Sequence, residues 1–333
     1  MRSLILGIAA LFLAASSAHA ACGGKNMLDE LRRSNPDAVT AIEARANATQ
    51  NGTGRFWKIE RDGLAPSHLF GTFHTPQAAE LVPEPVWAAL DASEIAVFEL
   101  SRSQEAEMES RLHSDPTFIL SSEPTNLQDL LPPDDYTELR RAFEDRDISM
   151  QIAGALKPWL QISLLAFPPC HMAAVADGGE PLDIVMADRA FAAGIPELGL
   201  ESYETALMAF DTLTQDMVTN LLVGAARTRA FEEDIFRTNM ELYAAGRISL
   251  MDEFNLWMGE TAMPGTDIRA LNSHMMDALL RVRNNAWLKT LLPALANGNA
   301  FVAVGALHLP GPDGLIALLQ QNGYSVTRLE ESE

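Results

Sequence analysis

The sequence has few basic residues, few cysteines and, after its first 20 residues, no long apolar run. Its 24 lysines and arginines are outnumbered by 45 aspartates and glutamates, which gives a formal net charge of −21 at pH 7. Nucleic-acid binding needs a basic surface, so this balance argues against it, and it argues equally against binding to anionic lipid. A membrane-spanning helix needs about 20 consecutive apolar residues, and the later sequence offers no such run. We therefore expect no stable membrane insertion once a leader has been removed.

Several common catalytic and nucleotide-binding motifs are also missing. The glycine-rich segment 305–315 lacks the Lys-Ser/Thr ending of a P-loop, and its glycine spacing does not match a dinucleotide-binding fingerprint. The chain has no Gly-x-Ser-x-Gly elbow, no His-Glu-x-x-His helix and no Cys-x-x-Cys pair. These absences argue against nucleotide binding and against the hydrolase and redox sites that depend on those motifs.

The first 20 residues have the features of a secretory signal peptide. Arg2 precedes an apolar core of residues 4–15, and the segment ends in the small-x-small pattern of a cleavage site. We expect export to the periplasm or secretion, with a mature chain that begins at about residue 21. Cys22 and Cys170 are an even number of cysteines in an exported chain, which predicts one disulfide. Two unpaired thiols are the alternative.

Strand patterns lie near the two ends of the chain, and helix patterns fill the middle. Strands are predicted over residues 55–60, 67–74, 94–100, 195–201, 300–307 and 324–329, and the first two form a hairpin. Helices are predicted over residues 24–50, 83–93, 133–145, 149–166, 181–193, 267–295 and 314–322, with two or three more over 203–258.

The alternation of strands and helices predicts an α/β fold with a mixed sheet and some parallel pairing. The sheet is built from N- and C-terminal strands. A large helical insertion spans about residues 103–295 and contains the strand near 195–201. We expect residues 21–333 to form a single domain.

Two short segments, far apart in the sequence, resemble each other closely. Each is an apolar, strand-like run followed by Gly-x-x-His, and the runs end at His74 and His308. Glu99 and Glu201 end two other predicted strands. Ligands of α/β sheets bind at the carboxyl ends of the strands, so we expect these four side chains at one sheet edge. Imidazole and carboxylate groups bind divalent metals and also transfer protons, so the pattern predicts a metal or acid–base site.

Each of these side chains also has a purely structural interpretation. A lone histidine often only hydrogen-bonds a loop carbonyl, and a glutamate after a strand is often simply solvated. Arg283 and Asn284, within a predicted helix, are candidates to hold a carboxylate or an oxyanion, and a surface salt bridge is the alternative for the arginine. Asp183, in the first turn of its helix, is interpreted as a partner of the helix dipole.

Seven motifs in this order resemble the TraB/PrgY/GumN family, which includes the Tiki membrane proteases. They are Gly71-Thr72-Phe73-His74, Glu99 in its strand, Lys157-Pro158-Trp159, Leu182-Asp183, Gly199-Leu200-Glu201, Arg283-Asn284, and Gly305-Ala306-Leu307-His308-Leu309 with Gly311, Gly314 and Gly323-Tyr324. The resemblance covers nearly the whole mature length. It implies a fold of the erythromycin-esterase/ChaN type. For the Tiki branch it implies a manganese- or cobalt-dependent peptidase that uses both Gly-x-x-His motifs, although this chain departs from Tiki in having no membrane anchor.

Taken together, the residues and the resemblance predict an exported, metal-dependent hydrolase that acts on a peptide or small-molecule substrate. His74, His308 and Glu99 would hold manganese, cobalt or zinc, with Glu201 as the alternative or additional carboxylate. One glutamate would activate water. Arg283 with Asn284 would steady the developing oxyanion.

Two other functions remain open at this point. One is a non-catalytic periplasmic protein that binds a small ligand, haem or a metal. The other is an esterase-like hydrolase that uses a histidine as base and no metal.

Overall fold

The computed structural model describes residues 22–330, and the predicted signal peptide of residues 1–20 lies outside them. Within the described residues, six strands form one sheet. They are β1 (Phe56–Glu60), β2 (Ser67–Thr72), β3 (Ile95–Phe98), β4 (Glu197–Gly199), β5 (Ala300–Gly305) and β6 (Ser325–Arg328). Their order across the sheet is β4-β3-β5-β2-β1-β6.

The sheet is mixed, as the sequence predicts. β4, β3, β5 and β2 are parallel to one another, whereas β1 is antiparallel to both β2 and β6. The predicted hairpin of β1 and β2 is confirmed, and its turn contains Gly63 at φ +81°, a backbone conformation that glycine adopts without strain. Because four neighbouring strands run the same way, their carboxyl ends share one edge of the sheet.

Helices cover both faces of the sheet and form most of the insertion. The α-helices are α1 (Met27–Ser34), α2 (Pro36–Ala48), α3 (Glu84–Asp91), α4 (Arg102–Ser114), α5 (Pro116–Ile119), α6 (Leu127–Leu130), α7 (Pro133–Glu144), α8 (Met150–Ala155), α9 (Pro158–Leu165), α10 (Pro169–Ala176), α11 (Leu182–Ala192), α12 (Tyr203–Met208), α13 (Gln215–Thr228), α14 (Glu232–Ala244), α15 (Ile248–Ala262), α16 (Ile268–Met276), α17 (Val282–Leu295) and α18 (Leu315–Gln321). Single turns of 3-10 helix cover Pro76–Leu81, Ala209–Thr212, Arg229–Phe231 and Ala306–His308, and a π-helical turn covers Asp277–Arg281.

Two predicted single helices are each divided in two. The helix predicted over 24–50 is broken at Asn35, whose side chain accepts the Ala38 N–H and so caps α2, with a proline as the first helical residue. The helix predicted over 149–166 is broken before Pro158, because proline disfavours a helical conformation in the residue that precedes it.

The helix predicted over 267–295 is also not continuous. α16 and α17 are joined by the π-helical turn Asp277–Arg281. Such a turn adds a residue to the helix and changes which side chains face a neighbouring surface, often at a functional site. The hydrophobic spacing of the sequence does not reveal this insertion.

The core has a layer on each face of the sheet, because successive strand residues point to opposite faces. Phe70 and Phe301 pack under α2, α11 and α15 on one face. Leu69 and Val302 pack under α17 and α18 on the other face. All six residues of β5 are buried, as expected for a strand in the middle of a sheet that is covered on both sides.

The predicted disulfide joins Cys22 to Cys170 and so ties the start of the described chain to α10. Its two cysteines are 148 residues apart in the sequence. Among residues 22–330 no single helix has the length and apolar composition to cross a membrane, although α9 and α10 together meet those two criteria across a 101° bend.

Candidate active site

Four of the residues singled out in the sequence lie at the shared carboxyl edge of the parallel strands. His74 follows β2, Glu99 follows β3 directly, Glu201 follows β4 and His308 follows β5. The sheet order places β5 between β3 and β2, so strands from both ends of the chain meet there. The structure therefore brings all four side chains to one place.

Three of these side chains converge on Gly305. A Cβ atom on this glycine would lie 3.2 Å from His74 Nε2, 3.2 Å from Glu99 Oε1 and 3.6 Å from His308 Cδ2. The Gly305 N–H donates to Glu99 Oε1 at 2.7 Å. A side chain at this position would crowd the site, which explains why a glycine precedes the second histidine.

Arg283, on α17, joins the two glutamates. Its Nη2 donates to Glu99 Oε2 at 2.7 Å and to Glu201 Oε1 at 2.5 Å, and its Nε donates to Glu201 Oε1 at 2.8 Å. Its Nη1 donates to the Leu279 carbonyl at 2.8 Å and to His308 Nε2 at 3.3 Å. All five guanidinium N–H groups are thus occupied. Of the partners that the sequence suggested for Arg283, a carboxylate is what the structure shows, and the arginine holds two. In this arrangement the guanidinium group has no N–H left for an oxyanion.

Asn284 does not face the cleft. The residue is buried, with 1% of its surface exposed. Its Nδ2 donates to the carbonyls of His308 and Asp313, and His308 Nδ1 lies 2.6 Å from Asn284 Oδ1. The geometry gives Asn284 the role of orienting His308, in place of the expected oxyanion contact.

His74 is oriented by a residue to which the sequence analysis gave only a helix-dipole role. His74 Nδ1 lies 2.6 Å from Asp183 Oδ2, and Thr72 donates to the other oxygen of the same carboxylate. Asp183 lies in the first turn of α11, 109 residues from His74 in sequence. No local spacing links the two positions, so only the fold reveals this pair. The signal that the sequence offered for Asp183 was its place in the motif Leu182-Asp183.

The two histidines differ in charge despite their matching motifs. The Asp183 carboxylate raises the pKa of His74 to about 9, so its ring is protonated at neutral pH. The His74 side chain is 55% exposed, and water therefore weakens this attraction. Burial lowers the pKa of His308 to about 3, which leaves a neutral imidazole. Trp287 lies against that ring with centroids 4.3 Å apart.

Glu99 is an ionised carboxylate throughout the physiological range. Burial alone would raise its pKa, but the neighbouring His308, Arg283 and His74 and the Gly305 N–H stabilise the charged form and bring the pKa down to about 2. A carboxylate with so low a pKa is a good ligand for a cation and a weak general base.

The sequence profile of the TraB/PrgY/gumN family matches residues 55–328. This chain belongs to that family. Every residue of the candidate site lies within the matched range of the TraB/PrgY/gumN profile. Among curated proteins, a metalloprotease TIKI homolog from Amphimedon queenslandica is 24% identical over 348 aligned positions, which cover 90% of this chain and 65% of that relative. The chain therefore spans slightly less than two thirds of the relative's length.

The donor chemistry of this TraB/PrgY/gumN site suits a divalent metal ion. Two imidazoles and a carboxylate are ligands for manganese, cobalt and zinc, and Glu99 Oε1 lies 3.7 Å from His308 Nε2, close to the separation of two ligands on one ion. Partners on the Nδ1 atoms of both histidines leave each Nε2 for an ion. Among residues 22–330, however, no group of three His, Cys, Asp or Glu side chains is close enough to hold a metal as the side chains stand. Metal binding would require Arg283 to release His308 Nε2 and His74 to lose a proton.

Proposed function

We propose that this protein is an exported hydrolase that acts on peptides with the help of a divalent metal ion, and that residues 21–333 are a single domain. The observation that carries the proposal is the convergence of His74, Glu99 and His308 beside Gly305 at the sheet edge. Similarity to a protein named a metalloprotease supports the reaction class, and the disulfide supports export to an oxidising compartment.

His74, His308 and Glu99 would hold the ion, which could be manganese, cobalt or zinc. The ion would supply Lewis-acid polarisation of the substrate carbonyl. Asp183 and Asn284 would keep the two imidazoles directed at the ion, as partners of metal-ligating histidines commonly do.

Glu201 is the better candidate for the general base. One of its oxygens is held by Arg283, and the other, Oε2, is buried without a hydrogen-bond partner among the described residues. Glu99 accepts the Gly305 N–H and would also be a ligand of the ion. A water molecule that approaches the substrate carbonyl would give its proton to Glu201, and Arg283 would balance the charge of the two carboxylates.

A specific observation also favours a second candidate, a hydrolase that needs no metal. His74 is protonated at neutral pH and its Nε2 points to the cleft, so it can donate to a developing oxyanion or to the leaving group. Arg283 already places a positive charge next to His308 and Glu99. In this metal-free mechanism, protonated His74 and Arg283 supply the positive charge that a metal ion would otherwise provide.

Hydrolysis of a quenched fluorescent peptide library separates these candidates. We expect turnover with manganese or cobalt, its loss after chelation and its return on adding the metal. His74→Ala and His308→Ala should each abolish turnover and metal retention, whereas His113→Ala, an exposed histidine on α4, should leave both unchanged. Turnover that resists chelation would favour the metal-free hydrolase. No turnover under any condition would refute the hydrolase proposal and favour a binding protein.

A further inference from the structure

The cleft beside the candidate site opens into a pocket whose wall is apolar. The pocket has a volume of about 380 Å³, and its floor includes His74, Glu99, Arg283 and His308. Its wall is formed largely by Phe73, Leu207, Phe210, Met276, Leu279 and Leu280. Within residues 22–330, these four are the only ionisable residues that line it. A pocket of this kind suits a large apolar group held next to the reacting bond.

A second pocket lies on the other side of Arg283. Its volume is about 320 Å³. Apolar side chains that include Met208, Val282 and Ala286 line it, together with the ionisable residues Glu201, His274, Asp277 and Arg283. Met208 and Val282 are 63% and 52% exposed, respectively. These two side chains place apolar surface at the rim of the second pocket.

The two pockets share a wall. Leu207 and Phe210 line the pocket above His74, whereas Met208 and Thr205, from the same segment, line the second pocket. Arg283 belongs to the floor of both. Arg283 and the segment 205–210 therefore lie between the two pockets, with Glu99 lining the first pocket and Glu201 the second.

We propose that these pockets are side-chain subsites on the two sides of the bond that is cut, so that the substrate is a peptide with large apolar residues flanking that bond. The inference rests on the proposed hydrolase function. Neighbouring side chains of an extended peptide point in opposite directions, so the two residues that flank a bond can enter pockets on opposite sides of a central floor. In the reaction, water adds its hydroxyl group to the carbonyl carbon, the C–N bond breaks and the departing nitrogen takes a proton.

The polar floor suits the peptide backbone between the two side chains. Glu201 is 5% exposed at its side chain, lines the second pocket and has one oxygen without a hydrogen-bond partner among residues 22–330. A small opening of the cleft would let the attacking water supply that partner beside the substrate carbonyl. A buried acceptor without a partner costs free energy, so the contact would favour a water molecule held next to the bound peptide.

Peptides that vary only at the two residues flanking a fixed position test the proposal. We expect kcat/KM to be roughly ten- to a hundredfold higher for leucine, methionine or phenylalanine than for aspartate, lysine or glycine. Phe210→Ala should lose the preference on one side of the bond. Met208→Glu should lose it on the other side, mainly through KM. Ile152→Glu is the matched control, because Ile152 is 53% exposed and lines neither pocket.

Cleavage without an apolar preference, or a preference that survives both pocket variants, would overturn the subsites and leave the hydrolase proposal standing. If no peptide is cut, calorimetric binding of the same peptides decides the matter separately. Apolar-selective binding that Met208→Glu weakens would support the subsites even though the hydrolase function failed. Binding with no apolar preference would overturn them.

Discussion

Replacing Asp183 by asparagine isolates the charge that keeps His74 protonated. Asparagine has the same shape and retains an oxygen that can accept from His74 Nδ1, now 2.6 Å from Asp183 Oδ2. The negative charge is removed, and an NH2 group replaces the oxygen that accepts from Thr72. Asp183 is the main cause of the rise in the pKa of His74 from 6.5 to about 9, so this substitution should reverse most of that rise.

The size of the change follows from the distance and the exposure. Two unit charges about 4 Å apart attract by about 1 kcal/mol in bulk water and about 4 kcal/mol near a protein surface, or roughly 0.7 to 3 pKa units. The side chain of His74 is 55% exposed and that of Asp183 is 19% exposed, so screening lies between these limits. We expect the pKa of His74 to fall by roughly one to two and a half units.

Imidazole NMR of the metal-free protein measures this change directly. The His74 signal, assigned by its loss in His74→Ala, should titrate near pH 9 in the wild type and between about pH 6.5 and 8 in Asp183→Asn. Asp188→Asn is the matched control, because Asp188 lies on the same helix but pairs with Arg102 at 2.6 Å. A wild-type midpoint near 6.5, or a midpoint that Asp183→Asn leaves in place, would refute the inferred pair.

The same pair determines how stability and metal binding vary with pH. Because the folded pKa of His74 lies above its unfolded value, the pair contributes its full stability below about pH 6.5, and this contribution disappears as the pH rises through about 9. Asp183→Asn should remove this loss of stability with rising pH. Since a protonated imidazole cannot bind a metal, the wild-type protein should release a proton from His74 on binding manganese at pH 7. The variant should release less.

Three further predictions concern charge and covalent structure. Replacing Cys22 and Cys170 by serine removes a link between residues 148 apart, and the chain-entropy relation gives a loss of at most about 5 kcal/mol in the free energy of unfolding, measured in urea. An unchanged urea midpoint would contradict that relation. Glu99→Gln should lower metal affinity at least about tenfold if Glu99 is a ligand, whereas slow turnover with the metal retained would identify it as the base. Burial raises the pKa of Asp252 from 3.8 to about 6, so its ionisation should make the fold less stable as the pH rises from about 4 to 6. Asp252→Asn should then raise the thermal midpoint at pH 7 and leave it unchanged at pH 4; equal effects at both pH values would refute this.

The position of the site at the carboxyl edge of the sheet was predictable from the sequence, because it depends on local patterns. Each of His74, Glu99, Glu201 and His308 follows a short apolar run, and parallel strands bring such positions to the same edge. Their contacts were not predictable in the same way. Arg283 holds both Glu99 and Glu201 from the start of α17, directly after the π-helical turn Asp277–Arg281, and hydrophobic spacing does not record that turn.

The roles of partner residues were the hardest to infer. Asp183 contacts His74, which lies 109 residues away in the sequence. The amide of Asn284 contacts the His308 ring rather than facing the cleft. Both contacts depend on how whole helices pack against the sheet. Sequence motifs identified these positions, but only the packed structure shows that they contact the histidines.

The position of β5 also has a consequence for when the site can first exist. β5 joins β3 to β2 in the middle of the sheet, yet it follows both of them by about 200 residues in the chain. Until residues 300–305 are available, His74 and Glu99 lie on strands with no common neighbour, and contacts between such distant segments form slowly. A chain that is cut short before β5 would contain every earlier motif and still have no site. Assembly of the site therefore depends on the arrival of β5.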